Sequence, residues 1–397
     1  MRFPEFSGEW KCTTIGNIGD IKNGPFGSVL HAEDYVKNGI PIVTTEHFKT
    51  GLMPSDKFGI PQVSNEDYIR LKGYRLETND IVFSRVGSVD INAHVGIEQN
   101  GWLFSGRVLR VRPKYDIDSL FLHYALSTEA VKRDIRNRAV GQTMPSINTP
   151  ILSSTTIQLP KDLFEQKKVA HFLRLLDKRI ITQNKIIEDL KKLKSAISKH
   201  LFARKDLLET TICLSNIATL KNGYAFQSGK YNALGKWKIL TITNVSGERY
   251  INDEDYNCII NLPNDIQDHQ VLKEGDILIS LTGNVGRVSL CKDGDYLLNQ
   301  RVGLLQLAKN VNQEFLYQIL SSQRFENSMI ACGQGAAQMN IGKGDVESYV
   351  LPYSSNVNNI LLVAKILHSY DEYIINEQRK LTLLTMQKQY FLAQMFI

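Results

Sequence analysis

Short segments rich in lysine, arginine, asparagine and glutamine occur twice in this 397-residue chain, in the same order. Lys-Asn-Gly at 22–24 returns at 221–223, and the arginine of SGRV (105–108) returns in NQRV (299–302). Arginine can pair bidentately with guanine, asparagine or glutamine can pair with adenine, and lysine binds phosphate as a point charge. Glycine allows a backbone to approach a phosphate closely. These residue types at repeated positions predict loops that bind nucleic acid.

The candidate contacts lie in four matching places in each half: the KNG segment, a turn that ends a strand, the arginine loop and a block beginning with Gly-Gln. The candidates in the first half are Lys22, Asn23, Arg85, Ser88, Arg107, Gln142 and Thr143, and those in the second are Lys221, Asn222, Tyr224, Thr282, Asn284, Arg287, Gln300, Arg301, Gln334 and Gln338.

Each candidate taken alone also has an ordinary structural explanation. The KNG glycines could form plain turns, and Arg85 or Arg301 could belong to a surface salt bridge. The chain has no N/D-P-P-Y/F/W motif of amino-methyltransferases, no GxxxxGK[ST] phosphate loop and no HExxH zinc motif. Isolated histidines such as His94 and His269 do not indicate a metal site. Together with the repetition, this favours a binding protein with no catalytic residues, no metal and no cofactor of its own.

The repetition extends along the whole chain. NDIVFSRVGSVD (79–90) matches GDILISLTGNVG (275–286), and HFLRLLDKRI (171–180) matches KILHSYDEYI (365–374). Matching blocks in one order, with nearly constant separation, indicate an internal duplication.

Each half combines short strands with one long helix. Apolar runs such as IPIVTT (40–45) and DILISLT (276–282), separated by Gly, Asn and Asp, predict strands and turns. One short helical segment in each half, at 118–135 and at 313–330, precedes the long helix. The fold class is therefore α+β and strand-rich, and the predicted divisions are 1–160 (first domain), 161–205 (first long helix), 206–355 (second domain) and 356–397 (second long helix).

The two long helices carry an apolar stripe with a period of 3.5 residues, which predicts a coiled coil. Packing of each helix on its own domain is the competing interpretation, but the polar breaks fall at the same two places in both helices. The predicted seam residues are Leu173, Leu176, Ile180, Gln183, Ile187, Leu190, Lys194 and Ile197 in the first helix and Leu367, Tyr370, Ile374, Glu377, Leu381, Leu384, Lys388 and Phe391 in the second.

The polar seam residues predict an antiparallel pair, with the two domains at its opposite ends. A parallel pair would set Lys194 beside Lys388, whereas an antiparallel register lets Lys194 meet Glu377 and Gln183 meet Lys388. Asp162 and Glu165 have the spacing of a reciprocal cap at the start of the first helix. The segment PKDLFEQK (160–167) also looks like the P-D…E-x-K site of a nuclease. That site needs its two acids on neighbouring strands, and two intervening residues cannot span the distance between strands.

Net charge and cysteine content indicate which partners and which cellular compartment to expect. The chain has a net charge of +6, concentrated in the first long helix, which favours a solvated helix face or, as the alternative, contact with the DNA backbone or with an acidic partner. Five cysteines without a CxxC pair fit a reducing compartment. The sequence shows no export signal and no long apolar run, so the expected location is the cytoplasm.

The duplicated plan and several motifs resemble the specificity (S) subunits of type I restriction–modification systems. The motifs are RFPEFSGEW (2–10), the two D-x-x-x-S-x-x-G turns from Asp80 and Asp276, the Gly-Gln blocks, and Leu-Pro followed by EQKKVAHFLRLLDKRI (165–180). The second half departs from this pattern, because LPYSSNVNNILLVA (351–364) replaces the capped helix start.

This resemblance implies a non-catalytic, DNA-binding reader of a bipartite double-stranded target, one half for each target-recognition domain. It implies that the helices set the unread spacer and dock two methyltransferase (modification) subunits, which restriction/translocase subunits would join. S-adenosylmethionine, ATP and Mg²⁺ would then belong to those partners. Two alternatives remain: the recognition subunit of a type IIB or IIG-like enzyme, and a coiled-coil scaffold without a DNA role, for which the donor-rich loops would have no use.

Overall fold

The computed structural model describes residues 1–25, 32–114, 116–333 and 339–396. The chain divides into two units: Met1–Thr182 with Leu381–Ile397, and Gln183–Lys380. Each unit therefore contains one mixed domain together with a segment of each long helix.

The described residues of the first unit form ten short strands and five short helices before the first long helix. The strands are β1 (Lys11–Thr14), β2 (Gly19–Asn23), β3 (Tyr35–Val36), β4 (Ile40–Val43), β5 (Gln62–Val63), β6 (Ile81–Ser84), β7 (Asn92–His94), β8 (Leu103–Phe104), β9 (Val108–Pro113) and β10 (Thr156–Leu159). The helices are α1 (Ile15–Ile18), α2 (Asn65–Arg70), α3 (Ser119–Leu126), α4 (Glu129–Arg138), α5 (Thr149–Ser153) and the long α6 (Leu163–Ala203), which continues into the second unit.

The second unit has a similar arrangement, with nine strands in the part of the chain that the structure describes. They are β11 (Thr210–Cys213), β12 (Ala218–Asn222), β13 (Trp237–Leu240), β14 (Asn257–Ile259), β15 (Ile277–Ser280), β16 (Val288–Leu290), β17 (Tyr296–Leu298), β18 (Val302–Leu307) and β19 (Val350–Tyr353). Its helices are α7 (Gln313–Leu320), α8 (Gln323–Cys332), α9 (Lys343–Glu347) and the long α10 (Val357–Met395), whose last turns belong to the first unit.

The two domains share the topology of their four-stranded and two-stranded sheets, which confirms the predicted duplication. A four-stranded antiparallel sheet has the order β2-β9-β6-β7 in the first unit and β12-β18-β15-β16 in the second. A two-stranded pair, β1-β10 or β11-β19, brings the ends of each domain together. In each unit, one parallel pair, β4 with β8 or β13 with β17, belongs to a further sheet.

The core of each domain continues onto the long helices. In the first unit, Phe83 and Phe121 pack in the same buried cluster as Leu173 of α6 and Met395 of α10. In the second unit, the corresponding cluster contains Leu201 of α6 and Leu367 of α10. Burial of several large side chains at about 1.5–3 kcal/mol each holds each domain firmly on its helix segments.

Within each unit, the two long helices run antiparallel, as predicted. In the first unit Phe172 packs edge-on against Phe391 at 4.8 Å, and Asp177 lies 2.5 Å from Lys388. In the second unit the predicted seam positions are likewise buried or half-buried; the positions between them are exposed on α6, whereas on α10 more than half of them are buried or half-buried. Among the described residues, no helix combines the length and apolarity that crossing a bilayer requires.

The predicted register of the helix pair is wrong. Lys194 pairs with Asp371 at 2.6 Å, and Gln183 donates to the Glu377 backbone oxygen at 3.1 Å. The residue numbers of Lys194 and Asp371 sum to 565, whereas those of the predicted pair Lys194 and Glu377 sum to 571. This difference of six residues displaces one helix along the other by about 9 Å at 1.5 Å per residue. The prediction considered only stripe positions, whereas Asp371 lies one residue beyond the stripe and still reaches the lysine.

Two local predictions also need correction. The helical segment at 118–135 is divided into α3 and α4, because Thr128 donates its hydroxyl to the Ala125 oxygen at 2.8 Å and interrupts the helix. At the start of α6, Asp162 accepts from the Phe164 N–H at 2.8 Å, so this half of the cap exists. Glu165 does not complete it, since its buried carboxylate binds Arg2 at 2.6 Å.

Candidate nucleic-acid interface

The candidate residues of the first unit converge at one end of its four-stranded sheet. Strand β2 ends at Asn23 opposite Leu109, and β6 ends at Ser84 opposite Val108, so both strands stop where β9 begins. Strand β4 ends at the same place, because the Ser105 N–H donates to the Val43 oxygen at 2.9 Å. We call this end the first recognition edge; it comprises residues 22–25, 44–47, 84–88, 105–107 and 144–147.

Backbone hydrogen bonds join the loops of the first recognition edge. The Arg85 N–H donates to the Arg107 oxygen at 3.0 Å, and the Gly87 N–H donates to the Pro145 oxygen at 2.8 Å. The Arg85 guanidinium also donates to the Gly106 oxygen at 3.1 Å. Arg85 therefore helps to hold the edge together, while Gln142 and Thr143 lie exposed beside it.

The second unit builds the same edge from the equivalent segments. The Gln300 N–H donates to the Tyr224 oxygen at 3.0 Å, and the Leu281 N–H donates to the Arg301 oxygen at 3.0 Å. The Gly283 N–H bonds the Met339 oxygen at 3.0 Å, as Gly87 bonds Pro145 in the first unit. We call this the second recognition edge; it comprises residues 221–224, 241–243, 281–287, 299–301 and 339–341.

The KNG glycines allow close packing of neighbouring loops. A Cβ at Gly24 would lie 1.9 Å from the Ser105 oxygen, and a Cβ at Gly223 would lie 2.1 Å from the Asn299 oxygen. A side chain cannot fit at either position unless the backbone moves. The glycines therefore bring the loops of each edge together, a role different from the phosphate approach expected from the sequence.

The D-x-x-x-S-x-x-G motif builds the strand-end turn. In the first unit, buried Asp80 accepts from the Glu77 N–H at 2.7 Å and binds Arg112 at 2.8 Å. Gly87 ends the motif with φ +83°, and the equivalent Gly283 has φ +71°, a conformation that favours glycine. The motif residues are thus structural, and the residues between and beside them are displayed on the turn.

Arg107 and Arg301 are the candidates most available for a ligand. Both are exposed, and neither forms an ion pair among the described residues. A hydrogen bond to the side chain two residues earlier supports each turn. The Arg107 N–H donates to Ser105 Oγ at 3.4 Å, and the Arg301 N–H donates to Asn299 Oδ1 at 3.1 Å. The two turns therefore present an unpaired guanidinium at equivalent points of the two edges.

Other candidates already have protein partners. Lys22 Nζ lies 5.1 Å from the Tyr74 ring centroid, and Arg287 Nε lies 3.5 Å from Glu326. Tyr224 donates to Asp265 at 2.8 Å, and this bond raises the pKa of the Tyr224 hydroxyl. These groups must exchange or share a partner to contact a ligand. The remaining exposed or half-exposed donors are Ser88, Lys221, Asn222, Asn284 and Gln300, whereas Gln334 and Gln338 lie outside the described residues.

Each edge also contains a buried polar atom without a partner among the described residues. These atoms are Asn23 Oδ1 in the first edge and Thr282 Oγ1 in the second. Buried polar atoms in native proteins are nearly always hydrogen-bonded, and an exception at a surface edge suits a site that a ligand completes. The described residues contain no group of three His, Cys, Asp or Glu side chains suited to a metal ion.

Sequence reasoning missed the segments that follow β4 and β13. Thr44 and His47 lie at the first edge, and Thr241 and Thr243, whose hydroxyl oxygens are 2.9 Å apart, lie at the second. Their strands were recognisable as apolar runs, but the position of each end depends on a parallel pairing with a distant strand. Hydroxyls after an apolar run, present in both copies, are the signal that could have identified them.

Comparison with known proteins identifies the family. The model of a family described as the type I restriction modification DNA specificity domain matches residues 7–192 and again residues 209–386. The type I restriction enzyme MjaVIII specificity subunit of Methanocaldococcus jannaschii is 27% identical over 354 residues, which cover 83% of this chain and 78% of that protein. The putative MjaX specificity subunit of the same organism is 27% identical over 396 residues, covering 93% and 88%.

Solved structures share the fold over the full length. The S subunit of a type I restriction–modification system from M. genitalium superposes with a TM-score of 0.59 at 17% identity, covering 100% of this chain and 99% of that one. A chain from a study of type I complex assembly and conformational transition gives 0.58 at 14% identity, covering 99% and 98%. At 17% and 14% identity, the similarity to these structures is evidence of a shared fold alone.

Proposed function

This chain belongs to the type I restriction–modification DNA specificity family, and we propose that it reads a bipartite duplex target, one half with each recognition edge. DNA sequence specificity is the function common to the family, whose members are non-catalytic subunits of a larger complex. The bipartite target, the partners and the residue roles below are the proposed part.

Two edges with the same backbone but different side chains support a two-part reader. By sequence alignment, Arg85 of the first turn corresponds to Leu281 of the second, and Ser88 corresponds to Asn284, whereas Arg107 and Arg301 are alike. A common frame that displays different donors would read different bases through the same docking geometry. Each arginine would pair with a guanine in its half-site, and the neighbouring hydroxyls and amides would complete the reading.

Exposed apolar side chains on the long helices support docking of partner subunits. On the part of α10 that belongs to the first unit, Leu383, Met386 and Tyr390 are 65%, 59% and 53% exposed at helical spacing. In the second unit, Ile186 and Leu193 of α6 are 40% and 46% exposed. Contiguous exposed apolar groups mark protein contacts. We assign these faces to two modification subunits, with restriction/translocase subunits joining the complex.

The proposed division of labour follows from this assembly. Residues 1–160 and 206–355 would act as target-recognition domains, and residues 161–205 and 356–397 as the spacer helices. S-adenosylmethionine, ATP and Mg²⁺ would serve the partner subunits, and the complex would work in the cytoplasm, where it meets DNA.

Methylation mapping tests the bipartite assignment. The chain would be reconstituted with the modification subunit encoded beside it, and the methylated motif would be read from genomic DNA treated with the complex. Arg107→Ala should relax one position in one half of the motif, and Arg301→Ala should relax one position in the other half. Relaxation of the same half by both variants would refute the assignment.

A further inference from the structure

A buried charge network joins a loop of the second domain to both long helices within the second unit. Arg249, which is 9% exposed, places Nη1 2.9 Å from Asp371 Oδ2 of α10 and Nη2 2.6 Å from Glu314 Oε2 of α7. Lys194 of α6 binds the other Asp371 oxygen at 2.6 Å. Two cations and two carboxylates thus alternate across three helices and one loop.

Gln318 adds hydrogen bonds to both carboxylates of the network, while Arg249 Nε and Gln318 Oε1 are buried without a partner among the described residues. Gln318 donates to Asp371 at 2.6 Å and to Glu314 at 2.7 Å. Burial alone would lower the pKa of Arg249, but its hydrogen bonds and charge contact with Glu314 raise that pKa. Arg249 and Glu314 therefore stay charged, since hydrogen bonds and charge contact with Arg249 lower the pKa of Glu314 despite its burial. Buried ionic networks add little net stability, but their directional bonds favour one geometry over its neighbours.

The loop that carries Arg249 is continuous with the second recognition edge. It begins at Thr241, whose N–H donates to Asn244 Oδ1 at 2.7 Å, and the Asn244 side chain donates to the Asn252 oxygen at 2.8 Å. Midway, a Cβ at Gly247 would lie 3.6 Å from the Arg287 side chain. The Arg249 oxygen accepts from the Leu290 N–H at 2.7 Å, which ties the loop to β16, the strand after the recognition turn.

We propose that Arg249 is a positioning residue, which holds the second recognition edge at a fixed angle to its helices and so makes the protein selective for the number of base pairs between the half-sites. This inference rests on the proposed bipartite function. One added base pair lengthens the spacer by about 3.4 Å and rotates the second half-site by about 35°. An edge that could swing on its helices would tolerate such a change, whereas an edge held by directional bonds would not.

The network is a feature of the second unit among the described residues. The equivalent carboxylate of the first unit, Asp177, binds Lys388 at 2.5 Å and accepts from the Tyr124 hydroxyl at 2.6 Å. No arginine contacts it in the described part of the chain. Asp177 thus has one lysine and one neutral donor as partners. Without Arg249, Asp371 would likewise keep one lysine, Lys194, and one neutral donor, Gln318.

The test compares Arg249→Met with Lys191→Met. Lys191 joins the same loop to α6 through Glu248 at 2.6 Å, but both side chains are about half exposed, so its loss should matter little. Methylation by the complex would be measured on the cognate target, on targets with the spacer changed by one base pair, and on targets with one altered half-site. Arg249→Met should lose roughly tenfold or more of its spacer discrimination, an effect comparable to one mismatch, and keep its half-site selectivity. Lys191→Met should behave as wild type.

Hydrogen exchange of the free chain gives an independent measurement. The amides of residues 249–251 should exchange faster in Arg249→Met than in the wild type. Their exchange rates should be unchanged in Lys191→Met. If Arg249→Met does not fold, Arg249→Met/Glu314→Gln restores the charge balance and still lacks the bond to Asp371. Unchanged spacer discrimination, or unchanged exchange, would overturn the positioning role. A wild-type complex that accepts every spacer would also overturn it, whereas a wild-type complex that methylates targets equally well after one half-site is altered would refute the bipartite proposal.

Discussion

Lys194 on the first long helix forms a 2.6 Å ion pair with Asp371 on the second, and side-chain exposures of 18% and 8% show that the pair is largely removed from water. Lys388 and Asp177 form the same pair at the equivalent sequence positions in the first unit. Such pairs favour an antiparallel arrangement, because in a parallel register each lysine would face the other lysine.

Asp371→Asn should destabilise the second unit strongly. The substitution removes the carboxylate that pairs with Lys194 and leaves Arg249 with Glu314 alone, and loss of one member of a buried ionic network costs about 3–5 kcal/mol. Urea unfolding would measure the loss. Glu188→Gln is the control, because its ion pair with Lys192 is exposed and long, at 3.9 Å, and should change stability by less than about 0.5 kcal/mol. Equal losses in the two variants would show that the buried network is not intact in solution.

Arg301→Lys separates base reading from phosphate binding. Lysine keeps the charge but loses the planar fork that pairs with guanine, so affinity for the cognate target should fall by about 1–3 kcal/mol. Affinity for unrelated DNA and the salt dependence of binding should stay the same, since the number of neutralised phosphates is unchanged. Fluorescence titrations with both duplexes provide the measurement. A loss shared equally by all sequences would mean that Arg301 contacts the backbone.

Acid should weaken the first unit through His123. Burial lowers the pKa of this side chain to about 3, and the ring bonds Asn92 at 2.7 Å. The unfolded pKa is near 6.5, so below that pH the unfolded state binds a proton that the folded state excludes. His123 therefore contributes its full stability above about pH 6.5, and the contribution falls by about 1.4 kcal/mol per pH unit between about pH 6.5 and 3. Burial also lowers the pKa of His94, which acts in the same direction.

His123→Gln provides the check on that contribution. The free energy of unfolding would be measured for wild type and variant from pH 8 to pH 4, and the difference between them would be plotted against pH. The difference should be flat above about pH 6.5 and shrink below it. A difference that stays constant down to pH 4 would contradict a neutral, buried His123.

The exposed apolar face of α10 predicts a partner contact. Leu383→Glu with Met386→Glu should reduce co-purification of the modification subunit, because each substitution sets a charge where an apolar contact would be buried. DNA binding by the free chain should not change. Ile97→Glu is the control, since Ile97 is 76% exposed in a loop of the same unit. Undiminished co-purification of the double variant would place the docking face elsewhere.

Much of the fold could be predicted because the duplication presents each pattern twice. The apolar runs around Ile42 and Ile279, and the helix stripe through Leu173, follow local periodicities that survive in both copies. The register could not be predicted from the stripe alone. Asp177 and Asp371 lie one residue beside it, and only the actual geometry shows that their carboxylates reach the opposing lysines.

The recognition edges were only partly visible in the sequence. Repeated loops such as those at Arg107 and Arg301 identified most segments, since their donors recur in order. Thr241 and Thr243 were missed because a parallel strand pairing brings them to the edge. Arg249 had no local signal at all, because its partners Glu314 and Asp371 lie on elements far along the chain.

Exchange of one recognition domain tests the central claim most directly. Residues 206–355 would be replaced by the equivalent domain of a relative that methylates a different motif, and the motif of the hybrid complex would be mapped. If the two recognition edges read DNA separately, the hybrid complex should methylate a motif in which one half is unchanged and the other half is that of the relative. A change in both halves, or in neither, would contradict the account.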